Sequence, residues 1–389
     1  MDCNRVFVSK VKRLTIVFTL LIAFLSIKID TFAQVDSAVV PVDSAVAESA
    51  HVASGEHGAS AEHGEEKFEP TKVIMEHIAD SHMWHLWGHT SLPLPVILYT
   101  ANGLEVFSSA HFHHGEEDYQ GKYNKYRLVT GLKQSMSKDM FNKNIKVVGA
   151  DGQIDENASD TVIDLSITKN IAAMFVAIFV IVIVFATVAR AYKKRVGKAP
   201  KGLQSFFEPI IIFVRDDIAK PNIGHKYAKF MPYLLTTFFF ILFNNLLGLV
   251  PIFPGGANVT GNIALTFVMA LGTMIIVNIN GNKYYWKHIF LPSVPFWLWP
   301  LMVVVEVIGI ISKPFALMVR LFANITAGHI IVLSLISLIF IFETLAIAPV
   351  SVAFVLFMDV LELLVAFLQA FIFTLLTALF IGMAVEEHH

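Results

Sequence analysis

Two long apolar stretches, roughly Phe296 to Phe342 and Ala348 to Val385, and the break between them carry seven ionisable side chains: Glu306, Lys313, Arg320, His329, Glu343, Asp359 and Glu362. Charges in such surroundings are costly and by default mark an ion path or a paired site. At about 100° per residue, Glu306, Lys313, Arg320 and Asn324, spaced by seven, seven and four, share one stripe of a helix about 40° wide. Asp359, Glu362 and Gln369, spaced by three and seven, make a second stripe. Lys313 and Glu343 fit interhelical pairing or snorkelling to a helix end. Arg320 does not, because a guanidinium cannot shed its proton and must meet a carboxylate or water wherever it lies. Asp359 and Glu362 could supply that carboxylate internally. Both stripes also lie among small or apolar residues that suit another membrane protein moving past.

Other chemistries find little support. The single cysteine, Cys3, precedes the first apolar run, which excludes disulfide frameworks, cysteine zinc sites and iron–sulfur ligation for most of the chain. Gly197-Lys198 is followed by Ala199, so there is no phosphate-binding loop; no bond-breaking site and no cofactor are expected. With 29 basic against 31 acidic residues and a net charge of -2, nucleic-acid binding has no electrostatic basis. Ten of the fifteen histidines lie before residue 115. His82, His85 and His89, then His111, His113 and His114, are candidates for zinc or copper, but solvated His/Glu tracts are the simpler reading and no metal is assigned.

The elements that must position these groups are membrane spans. Apolar residues make up 55% of the 389 and charged residues only 15%, and the mean hydropathy is +0.63, so the bulk solvent of the fold is lipid and the bilayer is the first partner. Ile171 to Ala189 is free of charge and is followed by Arg190, Lys193, Lys194, Arg195, Lys198 and Lys201, a flank that the positive-inside rule puts in the cytoplasm. Phe206 to Ile218 is too charged to span and reads as an interfacial helix. No charge occurs between Lys229 and Lys283, and the Pro251, Pro254, Gly255 and Gly256 break splits that stretch into spans near Phe230 to Val250 and Val259 to Asn282. The two final stretches exceed the roughly 20 residues of a vertical span and must tilt strongly. The expectation is an all-α integral membrane protein with about five transmembrane helices, one interfacial helix and a cytoplasmic C-terminus.

Upstream, Lys10, Lys12 and Arg13 precede an apolar run from Leu14 to Ile27, about 21 Å long as a helix, which reads as a signal peptide over 1–33. A retained anchor helix is the alternative. Residues 34–67 form a linker without hydrophobic period. Residues 68–165 form a small exported α+β or β-rich extension, with strand-like Pro95 to Tyr99 and Leu104 to Phe107 and turns at Asn102-Gly103 and Asp151-Gly152. The membrane domain is 166–389.

Three segments carry a family resemblance. Ser312 to His329, reading SKPFALMVRLFANITAGH, resembles the signature of the a subunit of the F-type ATP synthase membrane sector. Leu361-Glu362 through Gln369 to Phe373 resembles that family's last helix, and Asn244 to Pro251 its second span. The resemblance covers about residues 165 to 389 and implies a proton-translocating stator in a bacterial inner membrane, with no catalytic site of its own. Its partners would be the c-subunit ring, the b-subunit peripheral stalk and, through the complex, the F1 headpiece. Arg320 falls on the family's arginine that faces the ring carboxylate. Asn324 and Gln369 match its flanking polar positions, and Glu306 an acidic position of the cytoplasmic half-channel. His329 and Glu362 match the pair lining the outer half-channel, with Asp359 nearby. Many bacterial members have Glu at the position of His329 and His at that of Glu362, so the pair is exchanged here. Gly248 stands where some members have an acid. A self-contained transporter, or a structural anchor for an exported histidine-rich domain, are the readings from other classes; no internal repeat supports the first.

Overall fold

The computed structural model describes residues 74, 80–87, 90–115, 117–129, 144–149, 151–250, 255–291, 294–342 and 347–386. The sequence readings over 1–67, His89 and Glu343 lie outside them, as does the side chain of His85.

The extension is β-rich. Strands β1 (Met83–Trp87) and β2 (Thr90–Pro93) pair as one ribbon; β3 (Pro95–Thr100) and β4 (Gly103–Ser108) form an antiparallel hairpin, and β5 (Tyr119–Gln120), β6 (Lys125–Leu128) and β7 (Ile145–Val148) form a second sheet. The hairpin turns where the sequence places Asn102-Gly103: Gly103 has φ +134, open to glycine, and the Thr100 hydroxyl donates to its carbonyl at 2.9 Å. Alternation in β3 turns Val96 and Leu98 inward to a core with Phe112, Tyr126, Leu128, Ile145, Val147 and Val162. Glu105 points inward too, and its carboxylate is satisfied by the Tyr126 hydroxyl at 2.7 Å and by the backbone N–H groups of Lys122 at 2.7 Å and Tyr123 at 3.2 Å. Helix α1 (Glu156–Thr161), capped by the Asp155 carboxylate accepting from Ala158 N–H at 3.0 Å, leads to β8 (Ile163–Asp164), which joins the free edge of β3.

The extension is built into the start of the first long helix, α2 (Lys169–Lys194). Asp80 accepts from the Asn170 N–H at 3.1 Å, inside the first turn where backbone donors lack partners. Trp84 packs into the same core as Ala173 and Met174 of α2.

Helix α3 (Leu203–Phe213) runs through one wider turn, Val214–Ala219, into the short α4 (Lys220–Ile223). The charges that argued against a span here neutralise one another, Asp216 pairing with Arg215 at 2.8 Å and Lys220 at 2.6 Å. Helix α5 (Tyr227–Leu249) is the centre of the bundle, burying Leu234, Phe238, Phe239 and Ile241 against α2 and the C-terminal helix. Helix α6 (Ile263–Ile279) is capped by Asn262, and α7 (Lys283–Phe290) turns away from it by 103°. Helices α8 (Trp299–Phe342) and α9 (Ala348–Val385) have 44 and 38 residues. At 1.5 Å per residue those lengths are about 66 and 57 Å, roughly twice a hydrocarbon core, as the sequence requires of oblique helices.

Among the described residues four helical segments are long and apolar enough to cross a membrane, five when α6 and α7 count as one bent span. The five crossings read from sequence match the larger count. In α8 the most apolar window is only 6% buried, against 72% for Leu203–Leu249, so α8 lies at the rim of the bundle with most of its surface bare.

Two predictions follow from packing and charge. A Cβ on Gly382 of α9 would sit 1.9 Å from the Asn222 carbonyl oxygen, and backbone cannot rotate away. Gly382→Ala is therefore expected to cost about 1–3 kcal/mol, read as a lower melting temperature and reduced yield of the purified protein. In the extension, the Arg127 guanidinium hydrogen-bonded to Asp118, helped by Lys125, holds that carboxyl down at about 2. A depressed folded pKa gives stability that is complete above the ordinary carboxylate range and lost as pH falls from about 4 through about 2. Hydrogen exchange of β6 in the full chain should rise over that window, and Asp118→Asn should remove the pH dependence while raising exchange at neutral pH.

Candidate functional site

Helices α8 and α9 pack side by side and set the polar stripes against each other. Asn324 on α8 donates from its side-chain amide to Gln369 Oε1 on α9 at 2.9 Å, and Gln369 is buried. One turn back on α8, Arg320 is exposed. Among the described residues it meets no carboxylate, and the internal partner that the sequence allows is already engaged: Glu362 Oε1 lies 3.4 Å from His329 Nδ1. Asp359 is exposed, so the second stripe contributes Glu362 and Gln369 to the helix contact. Around Arg320 the exposed surface is made small by Ala316, Ala323 and Ala327.

The His329–Glu362 contact faces a small, partly open cavity whose walls come from α5, the α5–α6 loop, α8 and α9. Asn244, Asn245, Asn258, Thr260 and Asn324 give it polar lining. Asn245 is pinned by two bonds, donating to the Ala366 carbonyl of α9 at 3.2 Å and accepting from the Thr260 hydroxyl at 2.7 Å. Gly248 lies in the same wall, where a Cβ would stand 3.3 Å from the Ala257 carbonyl oxygen. The pair sits over Gly328: a Cβ there would lie 2.2 Å from Glu362 Oε1, so the flexible carboxylate would have to shift.

A second small cavity, with mostly apolar walls, opens toward the other end of α8, between α6, α7, α8 and α9. Thr273, Asn278, Tyr285 and Lys313 are its polar lining, and the Tyr285 hydroxyl donates to Asn278 Oδ1 at 3.2 Å. The Lys313 ammonium lies 5.7 Å from the centre of the Phe380 ring, so it is held by an aromatic face. Glu306 meets His288 of α7, Nδ1 to Oε1 3.7 Å.

The two cavities share no lining residue. Along α8 the second touches Ile310, Lys313 and Pro314 and the first touches Asn324, Ile325 and His329, so Arg320 falls between them and lines neither. The α8 stripe is therefore divided: each of its four polar groups has a different environment, and they do not contact one another as a chain.

Asn244 and Asn245, which the sequence puts in the second span without a role, line the first cavity with Thr260, while Tyr285 lines the second and His288 meets Glu306. The signal available was polarity inside a charge-free stretch, because an amide in an apolar span needs a partner or water. His82, a candidate metal ligand from sequence, is instead buried with its Nε2 3.6 Å from Asp164 Oδ2. Among the described residues no three His, Cys, Asp or Glu side chains are grouped to hold a metal.

Comparison with known proteins matches residues 171–382 to a family described as ATP synthase A chain, and residues 73–165 to one described as a domain of unknown function, DUF8433. ATP synthase subunit a of Chloroherpeton thalassium is 50% identical over 233 residues, which are 58% of this chain and 69% of that protein. ATP synthase subunit a 2 of Chlorobaculum tepidum is 47% identical over 229 residues, 57% of this chain and 64% of the relative. ATP synthase subunit a of Myxococcus xanthus is 44% identical over 237 residues, 59% and 76% of the two chains.

The Gly328 geometry makes a local prediction. Gly328→Ala must push the Glu362 carboxylate off His329, and diethylpyrocarbonate should then modify His329 faster, as read by peptide mass spectrometry of the membrane-embedded protein. An unchanged rate would mean that Glu362 does not shield the imidazole.

Proposed function

This chain belongs to the ATP synthase A chain family and is a multi-pass subunit a of the membrane sector, and from that premise we propose that its two cavities are offset half-channels for protons, kept apart by Arg320. The observation that carries the reading is the position of Arg320: exposed at the rim of the bundle, unpaired among the described residues, and between two cavities with no shared wall.

The cavity at His329 and Glu362 is the outer half-channel, and the one at Lys313 and Tyr285 the inner one. This orientation rests on the basic flank Arg190 to Lys201 lying in the cytoplasm, which puts the β-rich extension outside and the C-terminus inside. A proton enters past Glu362 and His329; an imidazole suits this role because histidine in general titrates near neutral pH. It neutralises a carboxylate carried by a c subunit of the rotor ring, which can then travel through lipid. When the acid comes round beside Arg320, the guanidinium favours its ionised form, and the proton leaves toward the inner cavity and Glu306. The alanines around Arg320 let the ring approach closely, as small residues do at membrane helix interfaces. Asn324 and Gln369 hold α8 to α9 at that level. Asp359, at the outer end of the second stripe, lies on the same uptake side.

Magnitudes agree with this. A potential of roughly 150 mV is worth about 3.5 kcal/mol per charge carried across, so an attraction of a few kcal/mol between Arg320 and the ring carboxylate holds it without trapping it. Arg320 also repels any hydrated cation crossing directly between the cavities. No bond is broken in this chain; ATP chemistry belongs to the F1 headpiece, joined through the complex and the b-subunit stalk.

Two measurements test the reading. In inverted membrane vesicles, ATP-driven acidification followed by dye quenching should be lost in Arg320→Ala with the complex still assembled; undiminished pumping refutes the stator mechanism. His329→Ala combined with Glu362→Gln should slow proton-driven ATP synthesis, and a double variant with the wild-type coupled rate would remove the outer path proposed for those residues.

A further inference from the structure

The inner cavity opens beside a group that the mechanism above does not use. Helix α7 is anchored at its start, where Asn282 donates from its backbone to the Ala384 carbonyl and from its side chain to the Val385 carbonyl, both at 2.8 Å. That anchor aims α7 across the end of α8. Tyr285 lines the cavity, and one turn further His288 reaches Glu306 of α8 at 3.7 Å. On α8, Glu306 stands one turn before Ile310 and two turns before Lys313, both in the cavity wall. The exposure of the pair is graded: the Glu306 side chain is 26% exposed and that of His288 69%. A partly sheltered carboxylate backed by a largely exposed imidazole, one turn along α8 from the wall of the cavity, is arranged to hand protons outward. Holding the fold together is a poor account of it, because so exposed a contact contributes little and Asn282 already fixes α7.

Resting on the reading of this cavity as the inner half-channel, we propose that His288 is the last proton-transfer residue on that path, exchanging protons between Glu306 and the aqueous phase. In the outward step, the proton of the Glu306 carboxyl passes to His288 Nδ1 as the contact tightens to a hydrogen bond or takes in one water, and the Nε2 proton leaves to solvent. Glu306 is left as a carboxylate and His288 as neutral imidazole, which solvent returns to the other tautomer. In the opposite direction of rotation the same pair gathers protons.

The test is ATP-driven pumping and potential-driven ATP synthesis by the whole complex in liposomes, normalised to assembled complex, for His288→Ala, His288→Gln and Arg320→Ala. Both His288 variants should slow turnover by about ten-fold, below the hundred-fold or more of a fully positioned proton-transfer group because water bypasses part of the relay. Free imidazole in the inner medium should restore much of the rate, while a non-imidazole buffer of equal strength should not. Wild-type turnover in both His288 variants, or a loss that imidazole does not relieve, overturns the proposal. If Arg320→Ala abolishes turnover while the His288 variants are unimpaired, only the role of His288 falls. If Arg320→Ala is unimpaired, the reading beneath it falls as well. The glutamine variant keeps a polar side chain of similar reach should the alanine variant fail to assemble.

Discussion

A guanidinium that cannot lose its proton is the constraint around which this membrane domain is arranged. In a helix whose surface is largely bare, Arg320 meets no carboxylate among the described residues and lines neither cavity. Such a group is tolerated when its counter-charge comes from outside, intermittently, and when water reaches its level from each side without meeting. Under the proposed reading the separation of the cavities serves that need: a shared wall at Arg320 would hydrate the charge permanently and weaken its hold on a passing carboxylate, since electrostatic attraction falls as the local dielectric rises.

The lengths of α8 and α9 follow from the same constraint. Under the proposed reading, a vertical pair of spans would offer a ring one turn of contact, whereas helices of 44 and 38 residues, longer than a vertical span needs, would lie obliquely and offer an extended face. Laying them down in this way needs scaffolding, and α5 supplies it. Its aromatic core against α2 and α9 is the most buried part of the protein. Asn245 ties that core to α9 at Ala366, one turn from Glu362, so the wall of one cavity and the packing of the bundle are the same set of bonds.

Much of this was legible in sequence, for identifiable reasons. Charge-free runs ending in lysines gave the spans, because the bilayer filters composition more strictly than water does. The β3–β4 hairpin followed from alternating residues around Asn102-Gly103 and formed in that register. The acid–imidazole pair was legible only through the family resemblance, and the two groups do lie together. What spacing could not give was the partner of each charge. Arg320, Asp359 and Glu362 could have satisfied one another, and only the packing of α8 on α9 shows Glu362 turned to His329. The angle between α6 and α7 was hidden too, because Asn280-Gly281-Asn282 reads equally as a turn at the end of a span or as a gap between helices. With it went the contact of His288 with Glu306, which depends on that angle.

The exchange of acid and imidazole between the helices gains a physical reading from Gly328. Glu362 reaches from α9 across to α8, and its carboxylate oxygen occupies the space a Cβ at 328 would fill. The contact is symmetric in chemistry but not in shape: one helix supplies the reach and the other the gap. Keeping the two groups in contact in this chain therefore leaves residue 328 no room for a side chain unless the carboxylate moves aside.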